Sequence, residues 1–180
     1  MKIYIALLRG INISGQKKIL MADLKKLLKE TRLKDIVTYI QSGNIIFKSE
    51  EIKTDVLENK IREVIKNHYG FDVPVLVLTK ESIVHIVENT PFDKLLEAEA
   101  ERVYYTLLKN TPQKELAERL NDEDYKDEKF SITEKCVYLT SLHGYGRAKC
   151  NNNFFEKKLK VSATTRNLKT MKKLIELANY

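Results

Sequence analysis

Arg147, Lys149 and Arg166 lie in one polar stretch, His143 to Asn167, together with Tyr145, Thr164 and Thr165. These side chains offer positive charge, hydroxyl and amide donors, and one aromatic ring. Guanidinium and ammonium groups beside hydroxyls suit a ligand that is anionic, and phosphorylated or planar. Asn167 stands at the expected N-cap of a helix whose apolar stripe is Leu168, Met171, Leu174, Ile175 and Ala178. The first amides of such a helix lack intrahelical partners and sit at the positive end of its dipole. Thr164, Thr165 and Arg166 lead into that end, which makes a workable anion site. The competing reading is local: Asn167 only caps, the two threonines satisfy nearby backbone, and Arg166 pairs with an acidic neighbour.

Gly144-Tyr145-Gly146-Arg147 reads as a two-glycine turn leaving a strand. Glycine lets backbone approach a ligand closely. Tyr145 can stack on a ring, while Arg147 and Lys149 can hold phosphate. The spacing is neither the GxGxxG of dinucleotide folds nor a P-loop, and a surface-packed tyrosine at a hairpin exit fits it equally well. Asn151, Asn152 and Asn153 open a helix that carries Phe154, Phe155 and Leu159. One of these asparagines is its cap, and the two phenylalanines read as core.

A second polar group follows the first strand: Arg9, Asn12 and Ser14, with Ser42 and Asn44 at a hairpin tip further on. Whether that loop and that tip meet is left open by element order. The larger expectation is that the Arg9 loop and the 144–167 region share one cationic pocket at the start of the last helix. Catalytic constellations are thin. Cys150 beside Lys149 has no nearby histidine except His143, and the acidic residues 121–128 read as a solvated loop. The spacings of His68, His85, His143, Cys136 and Cys150 fit no metal site, and nothing names a cofactor.

The elements that must hold these groups come from 180 residues, 43% hydrophobic and 32% charged, which describes a folded globule. Net charge is +7, unevenly placed: residues 1–34 carry +7, residues 35–143 carry −7, and residues 144–173 carry +8. Basic ends suit an anionic partner, or docking against the acidic middle. No apolar run approaches the roughly 20 residues that span a bilayer, and no secretory leader is legible. The protein is expected in the cytoplasm, with no membrane partner.

Strand KIYIALL (2–8), a helix over 20–31, a hairpin over 35–48, a helix capped by Thr54 or Asp55 and ended by Gly70, and strand VPVLVL (73–78) give β-α-β-β-α-β. That is the ferredoxin-like pattern. Thr79 caps a short helix over 80–89, and Pro91 with the acidic run Glu97 to Glu101 makes a connector. Strand RVYYTLL (102–108), a helix with Pro112 at its first position, strands 129–133 and 135–141, and helices 152–159 and 167–178 follow. The fold class read from this order is α+β: two ferredoxin-like (βαββαβ-type) subdomains, 1–90 and 91–180, in one compact unit. The second is degenerate, with C-terminal helices where a fourth strand would stand. No repeat is visible at the level of residues.

Leu8-Arg9-Gly10-Ile11-Asn12, Met21-Ala22-Asp23-Leu24, Gln41-Ser42-Gly43-Asn44, Tyr145-Gly146-Arg147 with Lys149, and Ala163-Thr164-Thr165-Arg166-Asn167 span the chain in order. On these segments the sequence resembles the uncharacterised bacterial domain-of-unknown-function family numbered sixteen ninety-seven. The resemblance implies a cytoplasmic α+β protein with two ferredoxin-like subdomains and no assigned activity. The family usually has a tryptophan where this chain has Leu168, and an aliphatic residue where it has Cys150.

The leading functional expectation is therefore a binding site for a phosphorylated or nucleic-acid ligand: a nucleotide, a nucleic acid or a phosphometabolite. An enzyme acting on a small phosphorylated or carboxylated metabolite, and a protein-interaction module, are the alternatives. The candidate site residues are Arg9, Asn12, Ser42, Asn44, Tyr145, Arg147, Lys149, Thr164, Thr165, Arg166 and Asn167.

Overall fold

The computed structural model describes residues 1–92 and 102–179. The chain divides into two compact units, Met1–Val84 with Lys173–Tyr180, and His85–Lys172. The acidic connector expected over Glu97 to Glu101 lies outside the described residues. The fold is α+β, with two ferredoxin-like subdomains.

The first unit runs β1 (Lys2–Leu8), α1 (Met21–Lys29), β2 (Lys34–Tyr39), β3 (Asn44–Ser49), α2 (Thr54–Tyr69), β4 (Val75–Thr79). Its strands lie in the order β2-β3-β1-β4, each pair antiparallel. β1 is central and nearly all apolar because both of its faces are covered. Tyr4, Ala6 and Leu8 join the core built with Leu24 and Leu28 of α1 and Leu57, Ile61 and Ile65 of α2. Ile5 and Leu7, on the other face, are equally buried. Glu58 reaches from α2 to accept the Val77 N–H at 3.0 Å, which satisfies the outer edge of β4.

The cap expected from Thr54 or Asp55 is not made. Lys53 is the N-cap and makes no side-chain bond, while Thr54 already belongs to the helix. Asp55 instead sits in the first turn, where its charge meets the positive end of the dipole. Gly70 ends α2, with its N–H on the Lys66 carbonyl at 2.9 Å. α3 (Lys80–Glu88) opens at Thr79, whose hydroxyl oxygen accepts the Ser82 N–H at 3.1 Å.

The second unit runs β5 (Val103–Leu108), α4 (Lys114–Asn121), β6 (Glu128–Ile132), β7 (Cys136–Ser141), a single 3-10 turn (Tyr145–Arg147), α5 (Asn152–Leu159), β8 (Ala163–Asn167), and α6 (Leu168–Leu177) then begins. Pro112 does not start α4, whose N-cap is Gln113. The strand order β6-β7-β5-β8 repeats that of the first unit. A fourth strand therefore stands where only helices were expected: Ala163–Asn167 pairs antiparallel with β5, from Leu108↔Ala163 to Tyr104↔Asn167. Two threonines supply β-branched side chains. The strand is short and lies at an edge, so little apolar alternation announces it.

A residue-level repeat is also present, against expectation. β1 and β5 hold the same place in their sheets, and KIYIALL matches RVYYTLL at Tyr4/Tyr104, Leu7/Leu107 and Leu8/Leu108. The Leu8 N–H donates to the Gly43 carbonyl at 2.7 Å, and the Leu108 N–H to that of Lys135 at 2.8 Å. Arg9 and Lys109 likewise donate to Pro74 at 3.1 Å and Ser162 at 2.9 Å. Glu156 of α5 is the counterpart of Glu58 and accepts the Ala163 N–H at 2.8 Å.

Candidate functional site

In the first unit, the loop after β1 and the tip of the β2–β3 hairpin meet, and Asn12 joins them. Its amide nitrogen donates to the carbonyls of Ile19 at 2.9 Å and Gln41 at 2.8 Å, and its oxygen accepts the Ile19 N–H at 2.9 Å. Both amide hydrogens are thus engaged in shaping the loop. Asn44 is fully buried, and its amide binds the Tyr39 carbonyl at 2.9 Å and the Ser42 hydroxyl at 3.1 Å. Ser42 itself is exposed, and Arg9 is half-buried at the base of the loop.

The backbone here is held in unfavourable conformations. Asn12, Ser14 and Lys17 have φ of 55°, 50° and 44°, and Ile40 has 47°. A β-branched residue in the left-handed region is a true outlier. Each such residue costs about 1–3 kcal/mol and persists only where its surroundings impose it. Lys17 is anchored by its ammonium on the Asp72 carbonyl at 2.7 Å, and Asn12 by its side-chain bonds to Ile19 and Gln41.

In the second unit, the 144–167 stretch closes on itself around Tyr104 and Asn152. The Tyr145 N–H donates to the Tyr104 hydroxyl at 3.1 Å, and the two rings lie 5.0 Å apart. The Tyr145 hydroxyl accepts the Asn152 N–H at 2.8 Å, at the first residue of α5. Asn151 is the cap of that helix, with its side-chain oxygen on the Phe154 N–H at 3.1 Å. Asn152 faces inward. Its oxygen accepts from the Thr165 hydroxyl at 3.0 Å, and that hydroxyl is 2.9 Å from the Thr106 hydroxyl on β5. The amide nitrogen of Asn152 is buried, and no acceptor among the described residues reaches it.

Thr164 is buried in β8. Side chains alternate along a strand, so Arg166 leaves β8 on the face opposite Thr165. It is half-buried, and its guanidinium donates to the Thr165 carbonyl at 2.9 Å. Burial pulls its pKa down to about 10, against the opposing influence of Tyr145, so the charge persists at neutral pH. Asn167 accepts the Thr170 N–H at 2.8 Å and so caps α6. Arg147 and Lys149 are exposed. Of the expected site residues, Tyr145 and Thr165 gather at Asn152, whereas Arg166 leaves the other face of β8. Arg9, Asn12, Ser42 and Asn44 belong to the first unit.

Glu128 was hidden in what the sequence suggested was a solvated acidic loop. It is buried at the start of β6, and its two carboxylate oxygens accept the N–H groups of Lys149 at 2.7 Å and Cys150 at 2.6 Å. Its place at the end of an acidic run carried no signal of this. Asn152 and Tyr104 were likewise missed, although a tyrosine matching Tyr4 was a usable clue. Cys150 is fully buried among Phe155, Leu159 and Val137. Burial first, and then the hydrogen bond and charge of Glu128, raise its thiol pKa far above the usual range. Cys136 is raised by burial alone. A raised, buried thiol is a poor nucleophile. Both thiols are expected to stay unmodified by a disulfide-exchange reagent in native protein at neutral pH and to react fully in denaturant. Stoichiometric reaction of either in the native state would contradict this burial.

No helix among the described residues is long and apolar enough to cross a membrane. Among the same residues no group of three His, Cys, Asp or Glu side chains is placed to hold a metal ion. The family model described as "Protein of unknown function (DUF1697)" matches residues 1–138. No curated protein matches the chain. Among solved structures, a conserved bacterial protein, SP0830 from Streptococcus pneumoniae, is similar at a TM-score of 0.72 and 22% identity, over 98% of each chain. That likeness concerns the fold.

Proposed function

Because the chain belongs to DUF1697, a protein family of unknown function, we propose a function from its own residues: it binds a phosphate-bearing ligand, a nucleotide or nucleic acid, beside the start of the last helix. The observation that carries the reading is the Asn152 amide, buried with no acceptor among the described residues. A buried donor without a partner costs about 1–3 kcal/mol, and an acceptor oxygen supplied by a ligand relieves that cost. The surroundings suit an anionic oxygen. Tyr145, held by Tyr104, and Thr165 line the same place. Arg147 and Lys149 stand exposed on the turn and its exit. In this reading Arg147 and Lys149 neutralise phosphate, while Asn152 donates to it. Asn167 and Thr164 hold the strand-to-helix junction. Two reduced, unpaired cysteines fit a cytoplasmic location.

The test is fluorescence anisotropy with labelled single-stranded oligonucleotide, competed by mononucleotides, across a salt series. Binding at low salt is expected, with log affinity falling steeply as log salt rises. The Arg147→Glu/Lys149→Glu variant is expected to bind about tenfold more weakly or worse, with a salt slope shallower by about 1–2. No binding of either probe at low salt, or a variant that binds as the wild type does, ends this reading.

A further inference from the structure

We propose that a cleft in the first unit binds a small amphipathic anion, a molecule with a carboxylate or phosphate head on an apolar body. The cleft has a volume of about 650 Å³, within the range of small-molecule sites. Its lining includes Leu33, Ile36 and Ile46, all buried, and Ala178 beyond the last turn of α6. Its rim carries four lysines, Lys25, Lys29, Lys34 and Lys48, against one carboxylate, Asp35. Asp35 is engaged by Lys48 at 2.7 Å. The lining therefore holds a clear excess of ammonium groups over carboxylates.

Two features of the backbone build this place. β2 shifts register between Lys34 and Val37, and Asp35 within that bulge has φ of 49°. Bulges re-aim side chains at sheet edges and next to sites, and left-handed non-glycine residues gather at ligand clamps. Lys25 and Lys29 are one helical turn apart on α1, so they share a face. An apolar lining alone would take any hydrophobe, and the lysines alone any anion. Together they select a molecule with both parts. A nucleobase is disfavoured, because Phe47 in the lining is fully buried and offers no ring face for stacking.

The experiment is calorimetric titration of the full chain with decanoate, decyl phosphate, decyltrimethylammonium and inorganic phosphate, with amide shifts followed by NMR. Saturable binding of decanoate or decyl phosphate is expected, with shifts at Val37 and Ala178, and the stronger of the two identifies the head group. Lys29→Glu/Lys34→Glu alters two exposed side chains and is expected to weaken that binding about tenfold. Val37→Trp, which fills the cleft, is expected to abolish it. The proposal is overturned if neither decyl anion saturates, or if the tetraalkylammonium binds as well as they do. Unchanged affinity in the charge-reversed variant overturns it too, as does binding of inorganic phosphate with equal strength. None of these residues belongs to the proposed phosphate site of the second unit, so the two proposals fail separately.

Discussion

Gly43→Ala is expected to destabilise the first unit by roughly 3–5 kcal/mol, the sum of an overpacking cost and a left-handed backbone cost. Gly43 has φ of +82°, and an added Cβ would lie 2.6 Å from the Leu8 Cβ and 2.7 Å from the Ile11 Cδ1. The Leu8 Cβ is one bond from the central strand and cannot swing aside. The Gly43 carbonyl also accepts the Leu8 N–H at 2.7 Å, so retreat of the hairpin tip breaks that bond. The Asn12 link to the Gln41 carbonyl then strains as well. Gly10→Ala is the control: φ is +70°, but nothing lies within 4 Å of the added atom, and the expected cost is about 1–2 kcal/mol. Urea unfolding, followed by exchange of first-unit amides, reads both variants. Equal losses in the two would show that the close approach to Leu8 has no energetic weight.

The second large effect is expected at Glu128. Its carboxylate accepts two backbone N–H groups, from Lys149 and Cys150, just ahead of α5. Glu128→Ala leaves both donors without their acceptor in a buried place, at about 1–3 kcal/mol each. Removing a buried charge offsets part of that, so the expected net loss is about 3 kcal/mol. Glu128→Gln keeps one acceptor oxygen and turns the other into a donor facing an N–H, and a loss of about 2 kcal/mol is expected. The cost should appear locally too, as faster exchange of the Lys149 and Cys150 amides and earlier reaction of the Cys150 thiol in mild denaturant. Losses below about 1 kcal/mol in both variants would mean that water replaces the carboxylate without penalty.

Gly43 and Glu128 also show where the sequence was legible. A Ser-Gly-Asn turn between two apolar runs announces a hairpin, and the hairpin is there. That its glycine lies against Leu8 depends on how far the tip folds over β1, which no local pattern encodes. Glu128 closes a run of acidic residues and looks like the others. Burial and two N–H partners single it out, and those partners are 21 and 22 residues away. The polar triplet 151–153 divides in the same way. Asn151 follows a capping rule, whereas Asn152 is distinguished only by lying beneath Thr165 and Tyr145.

By itself the sequence determined the first β-α-β-β-α-β order, the apolar stripes of the helices, the cap at Asn167 and the basic character of both ends of the chain. Each follows from spacings of a few residues, set by helix and strand geometry. Only the tertiary structure decided that Thr164-Thr165-Arg166 is a strand, that Asn12 is a clasp, that Cys150 is locked beneath Glu128, and that lysines from α1, β2 and β3 surround one cleft. Those outcomes turn on which hydrogen-bonding group meets which across a long stretch of chain. A polar side chain has the same composition whether water or a buried amide is its partner.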